Sequence, residues 1–175
     1  MKELKDLFKR HFTKELEGSD KTVYDLFEWQ NVDVNLTNYQ TGATILSMED
    51  LEFPVDYSQN ACNIIASKYF RRRGIPNGLG YEHSMREVAD RMVGFWADAL
   101  KEEGIIETEE EWQIFYDEMV YALLKQMWAP NSPQWFNTGL SRSYGIKGDK
   151  DDLYYYDEAA GEVKESDDRY TRTQS

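Results

Sequence analysis

The sequence predicts a mainly α fold, with short extended segments ahead of a helical middle. Apolar residues recur at threes and fours in three stretches between Ser58 and Pro130. Cap and stop residues bracket those stretches, above all the Thr108 and Glu111 pair. The remaining segments mix Val, Thr, Tyr and Leu with turn formers and carry no long alternation.

In chain order, "MKELKDLFKRHF" (1–12) places Leu4, Leu7, Phe8, His11 and Phe12 on one helical stripe. That pattern suits a terminal helix packed on the core or on a further domain, and also a helix lying on a membrane surface or a partner. Residues 22–57, including "NVDVNL" and "LEFPVDY", read as short extended pieces joined by loops. A first strong helix follows in "SQNACNIIASKYFRRRG" (58–74), with Ala61, Ile64, Ile65 and Tyr69 on one face and Gly74 as the stop. Its last turn would hold Arg71, Arg72 and Arg73, either complementing the negative helix end or gripping a carboxylate or phosphate. The second helix is "HSMREVADRMVGFWADALKEEG" (83–104), striped by Met85, Val88, Met92, Trp96, Ala99 and Leu100. The third starts at the Thr108 capping box and carries Trp112, Phe115, Met119, Leu123, Met127 and Trp128 until Pro130 forbids continuation. After Gly139 the chain turns polar and Tyr-rich, and "LYYYD" with "GEVKES" predicts a hairpin turning near Gly161.

Composition removes several function classes. Hydrophobic residues make up 41% of the 175, with 5 Trp, 12 Tyr and 8 Phe, which suits a folded domain. The 33 acidic residues outweigh 20 basic ones, and a net charge of -13 offers no footprint for a nucleic acid polymer. One cysteine, Cys62, forms no internal disulfide and rules out a Cys-rich zinc site, so a reducing, cytoplasmic setting is expected. No apolar run reaches the roughly 18 residues of a membrane helix and no signal-peptide pattern opens the chain, so the Asn35-Leu36-Thr37 sequon carries no weight.

Catalytic patterns are scarce. His11 and His83 sit in no nucleophile or metal arrangement, and surface or cap roles are expected for both. Cys62 lies beside Ile64 and Ile65 and reads as a small buried hydrophobe. The acidic run 109–111 is explained by the helix cap, so no metal site is expected, and no phosphate-loop or nucleophile-elbow motif is present. The stretch "MWAPNSPQWFNTGL" (127–140) stands apart. Pro130 and Pro133 stiffen it while Trp135 and Phe136 anchor it, so that Asn131 and Ser132 are held in fixed positions; they either present polar groups to a ligand or only cap a turn.

Two stretches, "FPVDYSQNACNIIASKYFRRRGIP" (53–76) and "YALLKQMWAPNSPQWFNTGL" (121–140), resemble the N-terminal region of adenosylcobalamin-dependent, class II ribonucleotide reductases. The tail "YYYDEAAGEVKESDDRYTRTQ" is similar to the segment that in this family leads into a Ser-Ala-Cys-Phe strand. The resemblance implies ribonucleotide reduction for DNA precursor synthesis by cobalamin-initiated thiyl-radical chemistry. It implies a helical N-terminal domain over 1–140 and a polar segment over 141–175 leading toward an α/β barrel outside this chain. By the same resemblance Ser132 contacts the ribonucleotide, with Asn131 beside it and Gln174 and Ser175 at the entry to the substrate-contacting strand.

Only Cys62 is present, outside the family's catalytic motifs, so no catalytic residue is expected in this chain and the chain alone should be inactive. Adenosylcobalamin would be bound mainly by the barrel, and the remaining partners would be the ribonucleotide, the rest of the reductase and a second copy of the full enzyme. The alternative is a free-standing helical interaction module without catalysis.

Overall fold

The computed structural model describes residues 8–146 and 154–165. Two short 3-10 turns, Lys14–Leu16 and Val23–Leu26, lead into strands β1 (Trp29–Thr37) and β2 (Thr44–Pro54). Helices α1 (Gln59–Lys68), α2 (Met85–Glu102) and α3 (Glu109–Leu124) follow, then two short helices, α4 (Ser132–Asn137) and α5 (Leu140–Tyr144). A hairpin of β3 (Tyr154–Asp157) and β4 (Glu162–Glu165) comes last.

The fold is mixed α/β rather than mainly α, because residues 29–54 form one long antiparallel hairpin instead of scattered extended pieces. Val32 and Val34 alternate with Asn31, Asp33 and Asn35 and point into the core. On the partner strand the register slips: Val32 faces Leu51 but Val34 faces Met48, so β2 carries an extra residue. The bulge places Asp50 at φ 58. Its N–H donates to Asp33 Oδ1 at 2.9 Å, and Asn31 Nδ2 donates to Asp50 Oδ1 at 2.6 Å. Met48 and Leu51 therefore both reach the core although they are three residues apart, a spacing that strict alternation misses.

The predicted N-terminal helix is not found where it can be checked. Residues 1–7 lie outside the described residues, and 8–12 are irregular. Instead of following a helix, the backbone N–H groups of Phe12 and Thr13 donate to Glu118 of α3, and Arg10 pairs with Asp117 at 2.7 Å.

Helix α1 starts where expected, with Ser58 as its cap, but ends at Lys68. The cause is Phe70, which turns into the core and stacks on Phe53 at 5.4 Å. Arg71, Arg72 and Arg73 thus lie beyond the helix, in the turn before Gly74, and do not complement its end. Helix α2 begins with the Ser84 and Glu87 capping box, and its inner stripe joins Val120 and Leu123 of α3 in one apolar core.

Helix α3 opens at the Thr108 box as expected yet closes at Leu124, six residues before Pro130. Gln126 takes φ 57, its N–H reaches Leu123 O, and the Met127 N–H reaches Ala122 O at 2.9 Å. This is a glycine-type helix ending made by a glutamine, invisible to a search for glycine. Trp128 falls past the helix but still packs on Trp96 at 5.6 Å. The stiff stretch expected within 127–140 contains a helical turn, α4, with Pro133 in its first positions and Asn131 as cap. The tail hairpin forms as expected, with Gly161 at φ 68 in its turn.

Candidate functional site

The segment after α1 and the helix α4, distant in sequence, come together. Between them lies a cleft of about 660 Å³ lined by Tyr69, Phe70, Arg71, Arg72, Arg73 and Phe136. Tyr69 is the joint: its ring stacks on Phe136 at 5.6 Å and meets Trp135 at 5.2 Å. Its hydroxyl lies 3.5 Å from Ser132 Oγ. Trp135 is buried, and its Nε1 donates to Pro130 O at 3.0 Å, so α4 is tied back onto the turn that precedes it. Phe136, 42% exposed, faces the cleft.

Beneath the cleft is an ion pair with no solvent access. Glu82 and Arg91 are both 0% exposed, and Arg91 donates to the two carboxylate oxygens at 2.6 and 3.2 Å. Its remaining hydrogen bonds go to Trp135 O at 2.9 Å and Thr138 O at 2.8 Å, which fix the backbone of α4. Glu82 in turn accepts the Arg71 N–H at 2.7 Å and the Tyr144 hydroxyl at 2.8 Å. Burial, followed by the adjacent Glu82 charge, pushes the Tyr144 phenol well above its ordinary value, so it remains a donor. One pair therefore positions both walls. Such a pair is tolerated in the interior only because nearly every donor and acceptor is used.

Glycine completes the arrangement at one point. Gly139, at φ 78 between α4 and α5, brings the chain so close to α2 that a Cβ there would lie 1.8 Å from Arg91 O. No other residue fits.

Of the residues expected to carry function, Ser132 sits exposed at the rim of this cleft. Asn131 is exposed too, but its side chain accepts the Ser132 N–H at 2.9 Å and so serves as the helix cap. Gln174 and Ser175 lie outside the described residues. Cys62 is fully buried, and burial raises its thiol pKa, as suits a packing role. His83 precedes the Ser84 cap and donates its N–H to Glu87, while His11 is exposed on the N-terminal segment. Among the described residues no group of three metal-ligating side chains forms, and no helix is long and apolar enough to cross a membrane.

Sequence reading missed Glu82 and Arg91. The signal was an arginine next to the apolar stripe of α2, one residue before Met92, which calls for a buried carboxylate partner.

Residues 31–126, more than half of the chain, match the profile of a family described as class II vitamin B12-dependent ribonucleotide reductase. The chain belongs to that family. It corresponds to the N-terminal region of these reductases, and the family is vitamin B12-dependent. A relative named vitamin B12-dependent ribonucleotide reductase from Bradyrhizobium diazoefficiens is 32% identical over 181 residues, covering 83% of this chain and 14% of the relative. One of the same name from Agrobacterium fabrum is 32% identical over 196 residues, covering 94% of this chain and 15% of its own length. A third, from Streptomyces avermitilis, is 39% identical over 116 residues, 66% of this chain and 12% of the relative. The chain thus spans about one seventh or less of the curated reductases it matches.

The described residues do not themselves fit a corrin. The cleft offers guanidinium groups and ring edges, and neither histidine lines it to serve as a ligand to cobalt.

Proposed function

We propose that this chain is the substrate-side N-terminal part of a reductase that converts ribonucleotides to deoxyribonucleotides for DNA synthesis. Adenosylcobalamin, bound by the barrel of the rest of the enzyme, would supply the radical that a cysteine of that barrel carries. The helical domain would cover 1–140, and 141–175 would run on toward the barrel. The partners are then the ribonucleotide, the remainder of the reductase and a second copy of the whole enzyme in a homodimer, in the cytoplasm. This chain contributes position rather than redox chemistry: its single thiol, Cys62, is buried, so the chain alone is inactive.

The observation that carries this reading is the placement of Ser132. Its hydroxyl stands exposed at the start of α4, on a turn fixed by the Trp135 and Thr138 carbonyls that Arg91 holds. A hydroxyl so held gives a hydrogen bond to a ribonucleotide with little ordering left to do on binding. Gln174 and Ser175, by the family pattern, would contact the same ligand.

The test is calorimetric titration of the chain with a ribonucleotide, with and without Ser132→Ala. Loss of one hydrogen bond weakens binding about 3- to 10-fold, with circular dichroism unchanged. Equal affinity in the variant removes Ser132 from the site, and deoxyribonucleotide formation by this chain alone, supplied with adenosylcobalamin and a thiol reductant, refutes the division of labour.

A further inference from the structure

Arg10 pairs with Asp117, Arg86 with Glu52, Arg91 with Glu82, and Arg142 with Asp90 and Asp98. Arg72 and Arg73 differ, being exposed and having no acidic partner among the described residues. In a chain with 33 acidic residues, two adjacent guanidinium groups without a carboxylate are unexpected on chance alone. They line the same cleft as the half-exposed Phe136 ring.

We infer that the cleft between α1 and α4 binds the phosphate chain of a nucleoside polyphosphate, with Arg72 and Arg73 as the cationic contacts and Phe136 as the ring beside them. This rests on the ribonucleotide reading above and assigns the phosphate end of that ligand. Guanidinium groups match phosphate oxygens in bidentate geometry, which a lone ammonium group does not. The chain is set on either side of them: Glu82 holds the Arg71 N–H at 2.7 Å, and Gly74 turns the chain at φ 77. The facing wall is fixed by the other half of the same ion pair, through Trp135 O and Thr138 O. Charge also limits the ligand's size. A net charge of -13 repels a polymer of phosphates, whereas a single polyphosphate responds to the local pair of cations.

The experiment titrates the 175-residue chain with inorganic triphosphate, then with a ribonucleoside triphosphate, for wild type, Arg72→Gln/Arg73→Gln and Ser132→Ala. Both arginines are exposed, so the double variant keeps the fold, which circular dichroism checks. The site predicts that wild type binds triphosphate with an affinity that falls as salt rises, that the double variant binds at least about tenfold more weakly, and that Ser132→Ala binds it as wild type does. No binding of triphosphate to wild type, or equal binding to the double variant, overturns the inference. If the ribonucleotide then still depends on Ser132, the reading of Ser132 stands while the phosphate site falls. If triphosphate depends on the arginines but the ribonucleotide ignores Ser132, the phosphate site stands and the Ser132 role falls.

Discussion

Where α2 meets α3, the contact draws on Val88, Met92, Val120 and Leu123, with polar links such as Trp112 Nε1 to Asp98 at 2.8 Å and Tyr116 to Asp90 at 2.8 Å at its margin. Where the same helix meets α4 and α5, the contact is centred on a fully buried ion pair and a glycine pressed against a carbonyl. The two sides fail differently. An apolar face loses stability in proportion to the atoms removed, because neighbours relax into part of the space. An ion-paired face fails all at once, because removing one charge leaves the other buried without a partner.

Arg91→Met breaks the second side most sharply. It leaves Glu82 charged and enclosed, and about 3–5 kcal/mol of stability should be lost in urea unfolding. The double variant Glu82→Leu/Arg91→Met sharpens the contrast. Elsewhere such replacements are often neutral, but here the Arg71 N–H, the Tyr144 hydroxyl and two carbonyls would be left without partners. Recovery should therefore be partial. Full recovery would show that water satisfies those groups, and the positioning role would then collapse.

On the first side, Met92→Ala, fully buried one residue later, should cost about 2–4 kcal/mol while leaving ribonucleotide binding unchanged. A binding defect there would mean that the two faces of α2 are coupled.

The smallest effect concerns pH. Burial pulls the Glu118 carboxyl upward, but hydrogen bonds from Thr13 and from the N–H groups of Phe12 and Thr13 outweigh it, and its pKa falls below the ordinary value. A carboxyl with a lowered folded pKa adds stability above its unfolded pKa and loses it as pH falls through the folded one. Between about pH 5 and about pH 3, wild type should lose more stability than Glu118→Gln. Parallel acid limbs in urea midpoints would sever the link between the N-terminal segment and α3.

Local signals served well where elements are set locally. Ser58, Gly161 and the Thr108 box mark the start of α1, the tail turn and the start of α3, and the stripe of Met85, Val88 and Met92 gave α2. The failures share another cause. The hairpin was hidden by a bulge that puts Met48 and Leu51 on one face, and α3 ends on a left-handed Gln126 where a glycine is the usual sign. The end of α1 was set by Phe70 finding Phe53, a contact between distant residues. The site was half legible. Ser132 and the three arginines stand out as residue types, but nothing local joins them, because Tyr69 and the Glu82 and Arg91 pair do so across 63 residues and 9 residues of sequence respectively.

The hydrogen bond from the Arg71 amide to Glu82 gives the cleft an internal clock. That amide belongs to a loop rather than to a helix or strand, so its hydrogen would be expected to exchange with deuterated solvent almost at once. Its proton is instead sequestered against a carboxylate that water does not reach. Exchange there requires the Arg71 amide to leave the buried Glu82 carboxylate, so the protection of this single amide reports how often that contact beside the cleft opens.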